Sequence, residues 1–280
     1  MAMRGSPLRH QSFFAASIAA DKLQLGKRPS RSYRQAKQSA HCSTILPKSY
    51  KPKHVMKWWQ KVSQNFNADG IRLFAYIIGG HPELSMAHVT VPDIRWVDWH
   101  ALKAAGFKGC VFDKDNTLTE PYVLGIHEPL TGSMKQCMDA FDGHVALLSN
   151  SAGLQEFDPK GEEAASMEKA LGIRVVRHIT KKPAGDAVDL EKHFSCKAEE
   201  LVMIGDRYLT DVVYGNRNGL FTIRPAPLTL DGEPSAVLLA RRIEDHYVRK
   251  WTQHGIKAPK HPMVTSEEML KSFVTEPKLW

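Results

Sequence analysis

The sequence predicts an α/β fold built on a doubly wound, parallel β-sheet. Short, continuous apolar runs alternate along the chain with segments whose apolar residues recur at helical spacing. Parallel strands that are covered by helices on both faces have this continuous apolar character, and the alternation indicates right-handed crossovers. Several apolar runs end on Asp, Ser or Asn. In an open parallel sheet these strand ends meet at one edge, where ligands bind.

The predicted strands are the apolar runs themselves. Most are rich in Val, Ile, Leu or Phe, as buried strands are. They comprise residues 89–91, 109–112, 144–148, 173–176, 201–204 and 220–223. The first run is short enough to be only a lead-in to the domain. Polar residues follow the second, third and fifth runs, so the sheet is expected to carry chemistry at one edge.

The predicted helices lie between these strands. Each has an apolar stripe, and they comprise residues 96–105, 131–141, 162–171, 184–194, 208–217 and 234–251. Gly106 and Gly219 end the first and fifth helices, and Lys182-Pro183 precedes the fourth. The last helix is expected to bury a stripe formed by Val237, Leu238, Ala240 and Ile243. The chain beyond Gly255 is expected to be mostly irregular.

Composition and charge place the chain among globular proteins and argue against nucleic-acid binding. The 280 residues are 42% hydrophobic and 24% charged, with a net charge of +8. Residues 1–40 contain eight Lys or Arg and one acidic residue, so they carry +7 of this charge. The remainder is nearly neutral and offers no basic face. The four cysteines form no CxxC pair, which argues against zinc and disulfides and suits a reducing compartment.

The sequence divides into four parts. Residues 1–43 are rich in Arg, Ser and Ala and poor in acids, which is typical of a disordered organelle transit peptide. A basic tail without a targeting role has the same composition. The other parts are an amphipathic and apolar extension over residues 44–84, a phosphatase-like domain over residues 85–251, and a C-terminal tail over residues 252–280.

The N-terminal extension has two hydrophobic features. Trp58, Trp59 and Phe66 lie at roughly helical spacing with lysines beside them, and Ile71–Ile78 is strongly apolar. Eight apolar residues cannot cross a bilayer, because a spanning helix needs about 20. These segments could lie in a membrane interface, with Lys57 and Lys61 near anionic head groups. They could equally pack on the domain or on a second subunit.

The acidic loop after the second strand is the strongest functional signal. Asp113 and Asp115 follow the buried run, and Thr117 adds a hydroxyl group. Two carboxylates this close repel each other unless a positive charge lies between them, and Mg²⁺ with its oxygen ligands meets that need. A strand-end turn with two solvated aspartates is the structural alternative. Other residues predicted at the same edge are Ser149, Asn150, Lys182, Asp206 and Asp211. Lysine and metal would allow a phosphate to approach these acids.

The order of these residues resembles a known superfamily. VFDKDNTLT, residues 111–119, resembles the DxDxT motif of haloacid dehalogenase-type phosphohydrolases, and Ser149, Lys182 and GDxxxxD from Asp206 match its other three motifs. VPDIRWVDW, LLSNSAG, HITKKPAGD and GDRYLTDVVYGNRNG resemble the phosphatidylglycerophosphatases of plants and algae. That branch acts in mitochondria and plastids. The resemblance covers about residues 85–245.

The resemblance implies a Rossmannoid, haloacid dehalogenase-like fold and assigns a role to each residue. Asp113 is expected to attack phosphorus, and Asp115 to act as general acid and base. The groups expected to bind the substrate phosphate are Thr117, Ser149, Asn150 and Lys182, with Lys181 as an alternative lysine. The expected Mg²⁺ ligands are Asp113, Asp115 through its backbone carbonyl, Asp206 and Asp211.

The implied substrate is phosphatidylglycerophosphate, whose terminal phosphate is removed to give phosphatidylglycerol. Asp115 to Ser149 and Ser149 to Lys182 are each one crossover long, about 30 residues, so no cap domain is expected over the site. An open site suits a phospholipid at a membrane surface and peripheral attachment. The expected location is the chloroplast, with the mitochondrion as the alternative. A homo-oligomer, a soluble phosphate-ester substrate and a catalytically silent scaffold remain open.

Overall fold

The computed structural model describes residues 68–276, which contain one all-parallel, six-stranded sheet. The strands are β1 (Val89–Val91), β2 (Gly109–Phe112), β3 (Val145–Leu147), β4 (Arg174–Val175), β5 (Leu201–Ile204) and β6 (Phe221–Pro225). Their order across the sheet is β1-β6-β5-β2-β3-β4. The predicted doubly wound α/β fold is confirmed, and all six predicted strands are present with bounds shifted by at most two residues.

The helices pack on both faces of the sheet. They are α1 (Ala68–Gly80), α2 (Trp99–Ala104), α3 (Thr131–Ala140), α4 (Glu162–Leu171), α5 (Val188–Phe194), α6 (Val213–Arg217), α7 (Ser235–Gln253) and α8 (Glu267–Ser272). Strand β2 shows why there are two cores. Its side chains alternate, so Cys110 and Phe112 join the cluster that contains residues of α2, α3 and α4, whereas Val111 joins the cluster that contains residues of α5 and α6.

The direction in which successive strands are added to the sheet reverses beside the central strand β2. After β2 the chain adds β3 and β4 on one side, and then returns to place β5 and β6 on the other. The backbone N–H of Asp113 donates to the carbonyl of Ile204 at 2.8 Å, so the first residue after β2 lies against the end of β5. A reversal of this kind leaves a crevice outside the carboxyl ends of the strands, the usual ligand site of open α/β sheets.

Three predicted helices begin or wind differently from the expectation. Helix α2 begins at Trp99 because the Asp98 side chain accepts a hydrogen bond from the N–H of Ala101 at 2.8 Å and caps it there. Helix α5 begins at Val188 rather than at residue 184, since Gly185 has a left-handed φ of +85°. The segment 208–217 starts with a wide π-helical turn, Tyr208–Val212, before α6.

The predicted inner face of α7 was wrong in one respect. Val237, Leu238 and Ala240 are half-buried, but Ile243 is exposed. The helix buries Glu244 and Val248 instead. Hydrophobic periodicity did not indicate this face because two of the side chains that α7 brings inward, those of Arg241 and Glu244, are charged.

The C-terminal segment packs onto the domain. Residues 256–266 have no regular helix or strand, as predicted for the tail, but helix α8 follows them. The Phe273 ring after α8 is buried against Phe107 and Phe221. Its backbone carbonyl accepts a hydrogen bond from the N–H of Asp98 at 3.0 Å. The tail therefore contributes to the hydrophobic core.

Two features bear on access to the sheet edge. One helix lies between Asp115 and Ser149 and one between Ser149 and Lys182, with no inserted domain in either connection, so the capless prediction is confirmed. Within residues 68–276, no helix combines the length and hydrophobicity that crossing a bilayer requires. The predicted transit peptide, residues 1–43, and the Trp58–Phe66 segment lie outside the described residues.

Candidate active site

Asp113 and Lys182 form the centre of the candidate site. Asp113 follows β2 directly, and its Oδ1 accepts a hydrogen bond from the Nζ of Lys182 at 2.8 Å. The same ammonium donates to Oδ1 of Asp211 at 2.7 Å. Lys182 is 3% exposed, so it is a buried cation held between two carboxylates. The structure thus brings Lys182 together with Asp113 and Asp211, which lie 69 and 29 positions from it in the chain.

Asn150 positions the lysine. Its Oδ1 accepts from the backbone N–H of Lys182 at 2.8 Å, and its Nδ2 donates to the Lys182 carbonyl at 3.3 Å. The amide therefore fixes the Lys182 backbone beside the end of β3. Lys181, the alternative lysine, lies with its Nζ 5.6 Å from the centre of the Phe157 ring. Of the two lysines, only Lys182 contacts the site carboxylates.

Three carboxylates converge beside this lysine. Oxygen atoms of Asp113, Asp206 and Asp211 all lie within 4.8 Å of one another. Asp206 and Asp211 reach this position because they flank the turn after β5. Gly205 makes the approach possible, since a Cβ atom there would lie 2.4 Å from the Cβ of Asp211. Three of the four predicted metal ligands are therefore clustered.

Arg241 is a site residue that the sequence did not indicate. Its Nη1 lies 2.6 Å from Oδ2 of the buried Asp206. Glu233 holds the guanidinium in place through contacts of 2.5 and 2.7 Å, and also accepts a hydrogen bond from Asn116 Nδ2 at 2.6 Å. The loop before α7 and the helix itself thus connect the end of β5 to the acidic loop. An Arg on a predicted amphipathic helix gives no sequence signal for this role.

The buried charges shift one another's ionisation. Burial raises the pKa of Asp113 to about 7; Lys182 opposes the rise, and Asp211 and Asp206 add to it. Burial also raises the pKa of Asp206 to about 6, against the opposing charge of Arg241. Burial by itself lowers the pKa of Lys182, but Asp113 and Asp211 outweigh it and hold the pKa above its ordinary value. The cluster has more negative than positive charge to balance.

A divalent cation fits this arrangement. Three carboxylates face two cations, Lys182 and Arg241. Arg241 also forms an ion pair with Glu233, so it neutralises Asp206 only in part. Oδ1 of Asp206 is buried and accepts no hydrogen bond within the described residues, whereas Oδ2 is paired with Arg241. Unpartnered, buried oxygen ligands next to other carboxylates are the donor set that Mg²⁺ prefers. The residues at the end of β5 are therefore suited to hold this ion.

Asp115 and Thr117 lie near the cluster but face other partners. The Asp115 carboxylate contacts the Nζ of Lys114 and accepts from the N–H of Tyr122 at 3.0 Å. It is not among the three clustered carboxylates, so its proposed metal contact depends on its backbone carbonyl. The Thr117 hydroxyl accepts from the N–H of Asp206 at 3.1 Å. Thr117 thereby braces the end of β5, and its phosphate contact stays a prediction.

Ser149 lies at the end of β3 with a second serine beside it. Ser149 is 5% exposed, and its Oγ lies 3.2 Å from the Oγ of Ser151. The backbone N–H of Ser151 also donates to the Oγ of Ser149 at 3.2 Å. The sequence indicated Ser149 and missed Ser151. Two adjacent hydroxyls at the strand end could both donate to an anion.

Most of this chain is similar to known phosphatases. Residues 72–226 match the family described as mitochondrial PGP phosphatase. The chain is 50% identical over 217 residues to phosphatidylglycerophosphate phosphatase 1, chloroplastic, of Chlamydomonas reinhardtii, covering 78% of this chain and 81% of that protein. It is 43% identical over 224 residues to phosphatidylglycerophosphate phosphatase 1, chloroplastic/mitochondrial, of Arabidopsis thaliana, covering 79% of this chain and 64% of that protein.

A more distant relative comes from yeast. The chain is 30% identical over 167 residues to the probable phosphatidylglycerophosphatase, mitochondrial, of Schizosaccharomyces pombe. That match covers 55% of this chain and 79% of the yeast protein. The names of the relatives confirm the predicted organellar location, with chloroplast and mitochondrion both represented.

Proposed function

Because the chain belongs to the mitochondrial phosphatidylglycerophosphate phosphatase family, we propose that it hydrolyses the terminal phosphate of phosphatidylglycerophosphate. Membership makes it an enzyme, a phosphoric monoester hydrolase. The observation that carries the proposal is the contact of Asp113 with the buried Lys182 at the reversal point of the sheet. A catalytically silent scaffold has no need for three clustered carboxylates, two of them buried, whose repulsion is costly.

In the proposed reaction Asp113 is the nucleophile. One carboxylate oxygen attacks phosphorus, the bond from phosphorus to the leaving glycerol oxygen breaks, and an aspartyl-phosphate forms. Water then attacks phosphorus, the acyl-phosphate P–O bond breaks, and inorganic phosphate leaves with the Asp113 carboxylate restored. Lys182 neutralises charge beside Asp113, and Ser149 donates a hydrogen bond to a phosphoryl oxygen.

Asp115 would handle the protons of both steps. As an acid it protonates the leaving alkoxide, and as a base it takes a proton from the attacking water. In the structure the Asp115 carboxylate contacts Lys114 and accepts a hydrogen bond from the N–H of Tyr122. Proton transfer therefore requires the Asp115 side chain to leave Lys114 and turn towards the bound phosphate.

We propose that Asp113, Asp206 and Asp211 would bind Mg²⁺, with the backbone carbonyl of Asp115 as a further ligand. When bound, the ion would neutralise negative charge on the phosphoryl group. Arg241 and Glu233 then set the orientation of the Asp206 carboxylate. Thr117 fixes the Asp206 backbone through its hydroxyl, and Asn150 fixes that of Lys182.

The proposal includes peripheral association with an organelle membrane that contains the anionic phospholipid substrate. An uncapped site supports this view, because a head group held in a bilayer can reach an open sheet edge. Whether the active form is a homo-oligomer is part of the same proposal and is tested by the mass of the purified protein in solution.

The test is a comparison of substrates with purified, full-length protein. Phosphate release is measured from phosphatidylglycerophosphate in vesicles, glycerol 3-phosphate and a sugar phosphate, each with Mg²⁺ and with excess chelator. We expect the lipid to give the highest kcat/KM and chelator to abolish the activity. A preference for a soluble ester would overturn the substrate assignment. Full activity in chelator would overturn the metal assignment and leave the substrate assignment standing.

A binding measurement separates the metal from the chemistry. Mg²⁺ that binds only the folded state raises its stability, by about 2.7 kcal/mol at 100 times the dissociation constant. We expect Mg²⁺ to raise the melting temperature of the wild type and to have little effect on Asp206→Ala. An equal rise in both proteins would place the ion elsewhere.

A further inference from the structure

Exposed apolar side chains are concentrated around the mouth of the candidate site. Within residues 72–276, eleven large hydrophobic residues are exposed, and five of them lie on three loops. We call these five residues the apolar crown: Tyr122, Val123, Leu124, Ile179 and Leu230. Ile179 is 73% exposed, and the other four are 44–52% exposed. Isolated exposed apolar residues are normal, but a concentration around a site marks an interaction surface.

The topology places the whole crown on one edge of the sheet. The loops follow β2, β4 and β6, and these strands are parallel, so all three loops leave the sheet at its carboxyl edge. Asp113, Ser149, Lys182 and Asp206 lie at that same edge. The crown therefore surrounds the approach to the site from both sides of β2.

The crown is also attached to the site by hydrogen bonds. The carbonyl of Val123 accepts from the buried Nζ of Lys114 at 3.1 Å, and the N–H of Tyr122 donates to Asp115. The N–H of Thr229, next to Leu230, donates to Oδ1 of Asn116 at 3.0 Å. Ile179 precedes Lys182 by three residues. The hydrogen bonds fix the backbone of the loops after β2 and β6, while the crown side chains are exposed.

We propose that the apolar crown inserts into the surface of the phospholipid bilayer that presents the substrate. This inference rests on the proposed function, because a lipid substrate must reach Asp113 from a membrane. A second copy of the chain or another protein seated on the crown would cover the mouth and block the substrate. A bilayer covers the same surface and supplies the substrate through it, so it is the occupant that the geometry favours.

The charges on the crown loops predict the kind of attachment. The exposed acids Glu120, Asp186 and Asp231 on these loops outnumber the exposed Arg177, which is paired with Glu168, so the surface is not a basic patch that would attract anionic head groups. Attachment by the crown is therefore expected to depend on apolar insertion and to change little with salt. A docking mode based on Lys57 and Lys61 would weaken strongly as salt rises.

The test replaces three crown residues in the full-length chain. The variant carries Val123→Ser, Leu124→Ser and Ile179→Ser, and its control is Ile78→Ser, an exposed aliphatic residue on α1 that is 41% exposed. Vesicles of phosphatidylcholine with phosphatidylglycerol are sedimented with each protein at low and high salt. Rates are measured on phosphatidylglycerophosphate in vesicles and on glycerol 3-phosphate. Circular dichroism and melting temperature establish folding.

We expect the triple variant to lose at least about tenfold in vesicle binding and in kcat/KM on vesicle substrate, since several apolar groups no longer insert. Its rate on glycerol 3-phosphate should stay within about twofold of wild type, and Ile78→Ser should match wild type throughout. Undiminished vesicle binding by the triple variant would overturn the proposal, as would equal losses on both substrates or an equal loss in Ile78→Ser.

The two proposals fail in different ways. If wild type binds vesicles through the crown but shows no preference for the lipid substrate, the proposed function is wrong and the docking surface stands. If wild type prefers the lipid substrate but the triple variant binds and turns it over normally, the function stands and the crown is not the docking surface.

Discussion

Two buried polar clusters lie at different places on the same sheet, and they are built on opposite principles. At the ends of β2 and β5, Asp113 contacts Lys182 and Asp206 contacts Arg241, and Oδ1 of Asp206 accepts no hydrogen bond within the described residues. Near β1 and β6, His88 is held by Thr222 and the Pro259 carbonyl. There the imidazole is neutral and both ring nitrogens have partners.

The histidine cluster joins the edge of the sheet to the C-terminal segment. The Nδ1 of His88 accepts from the N–H of Thr222 at 3.1 Å, which leaves Nε2–H to donate to the Pro259 carbonyl at 3.0 Å. Its ring stacks on Phe221 and meets His261 edge-on. All of its polar capacity is used internally, so this cluster serves stability.

The difference shows what distinguishes a site from a structural polar cluster. Burial alone does not, because both contain buried polar groups. The candidate site retains an excess of carboxylates and a buried carboxylate oxygen without a donor, so it has capacity left for a ligand. The histidine cluster has none left.

Asp113→Asn should abolish turnover while the protein stays folded. The side chain keeps its size, but the amide cannot form the aspartyl-phosphate, so we expect kcat to fall by at least about 10⁴-fold. The measurement is phosphate release under saturating lipid substrate. His88→Gln, assayed well below its melting temperature, should keep kcat within a few-fold. Comparable losses of kcat in both variants would erase the contrast between the clusters.

Arg241→Gln should destabilise the metal-free protein strongly. It leaves the buried Asp206 carboxylate without its cation, which costs about 3–5 kcal/mol in the free energy of unfolding. Urea unfolding in chelator measures the loss, and adding Asp206→Asn should recover much of it. Lys103→Gln, which breaks the exposed contact with Asp142, should cost less than about 1 kcal/mol. Equal costs for the two ion pairs would contradict the structure.

Ser149→Ala should slow the reaction without affecting the fold. A hydroxyl that donates to the phosphoryl group in the transition state contributes about 10²–10³-fold in rate. The same change at Ser151 should cost less, because that residue has no assigned contact with substrate. Both rates are measured as kcat/KM on vesicle substrate. A larger loss at Ser151 would transfer the phosphate contact to the residue that the sequence did not indicate.

His88 should make stability depend on pH in a defined window. Burial, with a contribution from His261, lowers the pKa of His88 from 6.5 to about 4. As pH falls below 6.5 the unfolded chain takes up a proton that the folded chain binds only near pH 4. Stability is therefore full above 6.5 and decreases towards pH 4, by about 3 kcal/mol at most. His88→Gln should show a flatter profile, whereas an unchanged profile would exclude His88 as its source.

The sequence predicted most of what depends on local pattern. Strands such as β2 and β5 are continuous apolar runs, so their position and type followed from composition, and their polar ends identified Asp113 and Asp206. Capping was partly readable too, yet the Asp98 cap that begins α2 was missed. What a residue contacts across the fold was not readable from its neighbours in sequence.

Arg241 and Asp115 show the limit most clearly. Arg241 pairs with Asp206, 35 positions earlier, and no periodicity encodes a charge pair across that distance. It also explains why α7 turns a charged face inward and leaves Ile243 exposed. The sequence correctly predicts that Asp115 lies at the carboxyl edge of the sheet. The direction of its carboxylate depends on Lys114 and on the turn at Tyr122, which only the folded loop defines.

The central claim is that Asp113 takes the phosphoryl group from a phospholipid. The most direct test is to quench the enzyme with acid during turnover of phosphatidylglycerophosphate labelled with ³²P in its terminal phosphate, and to map the labelled peptide. We expect the label on the peptide that contains Asp113, and none in Asp113→Asn. Label on another residue, or rapid turnover without any covalent label at Asp113, would contradict the account.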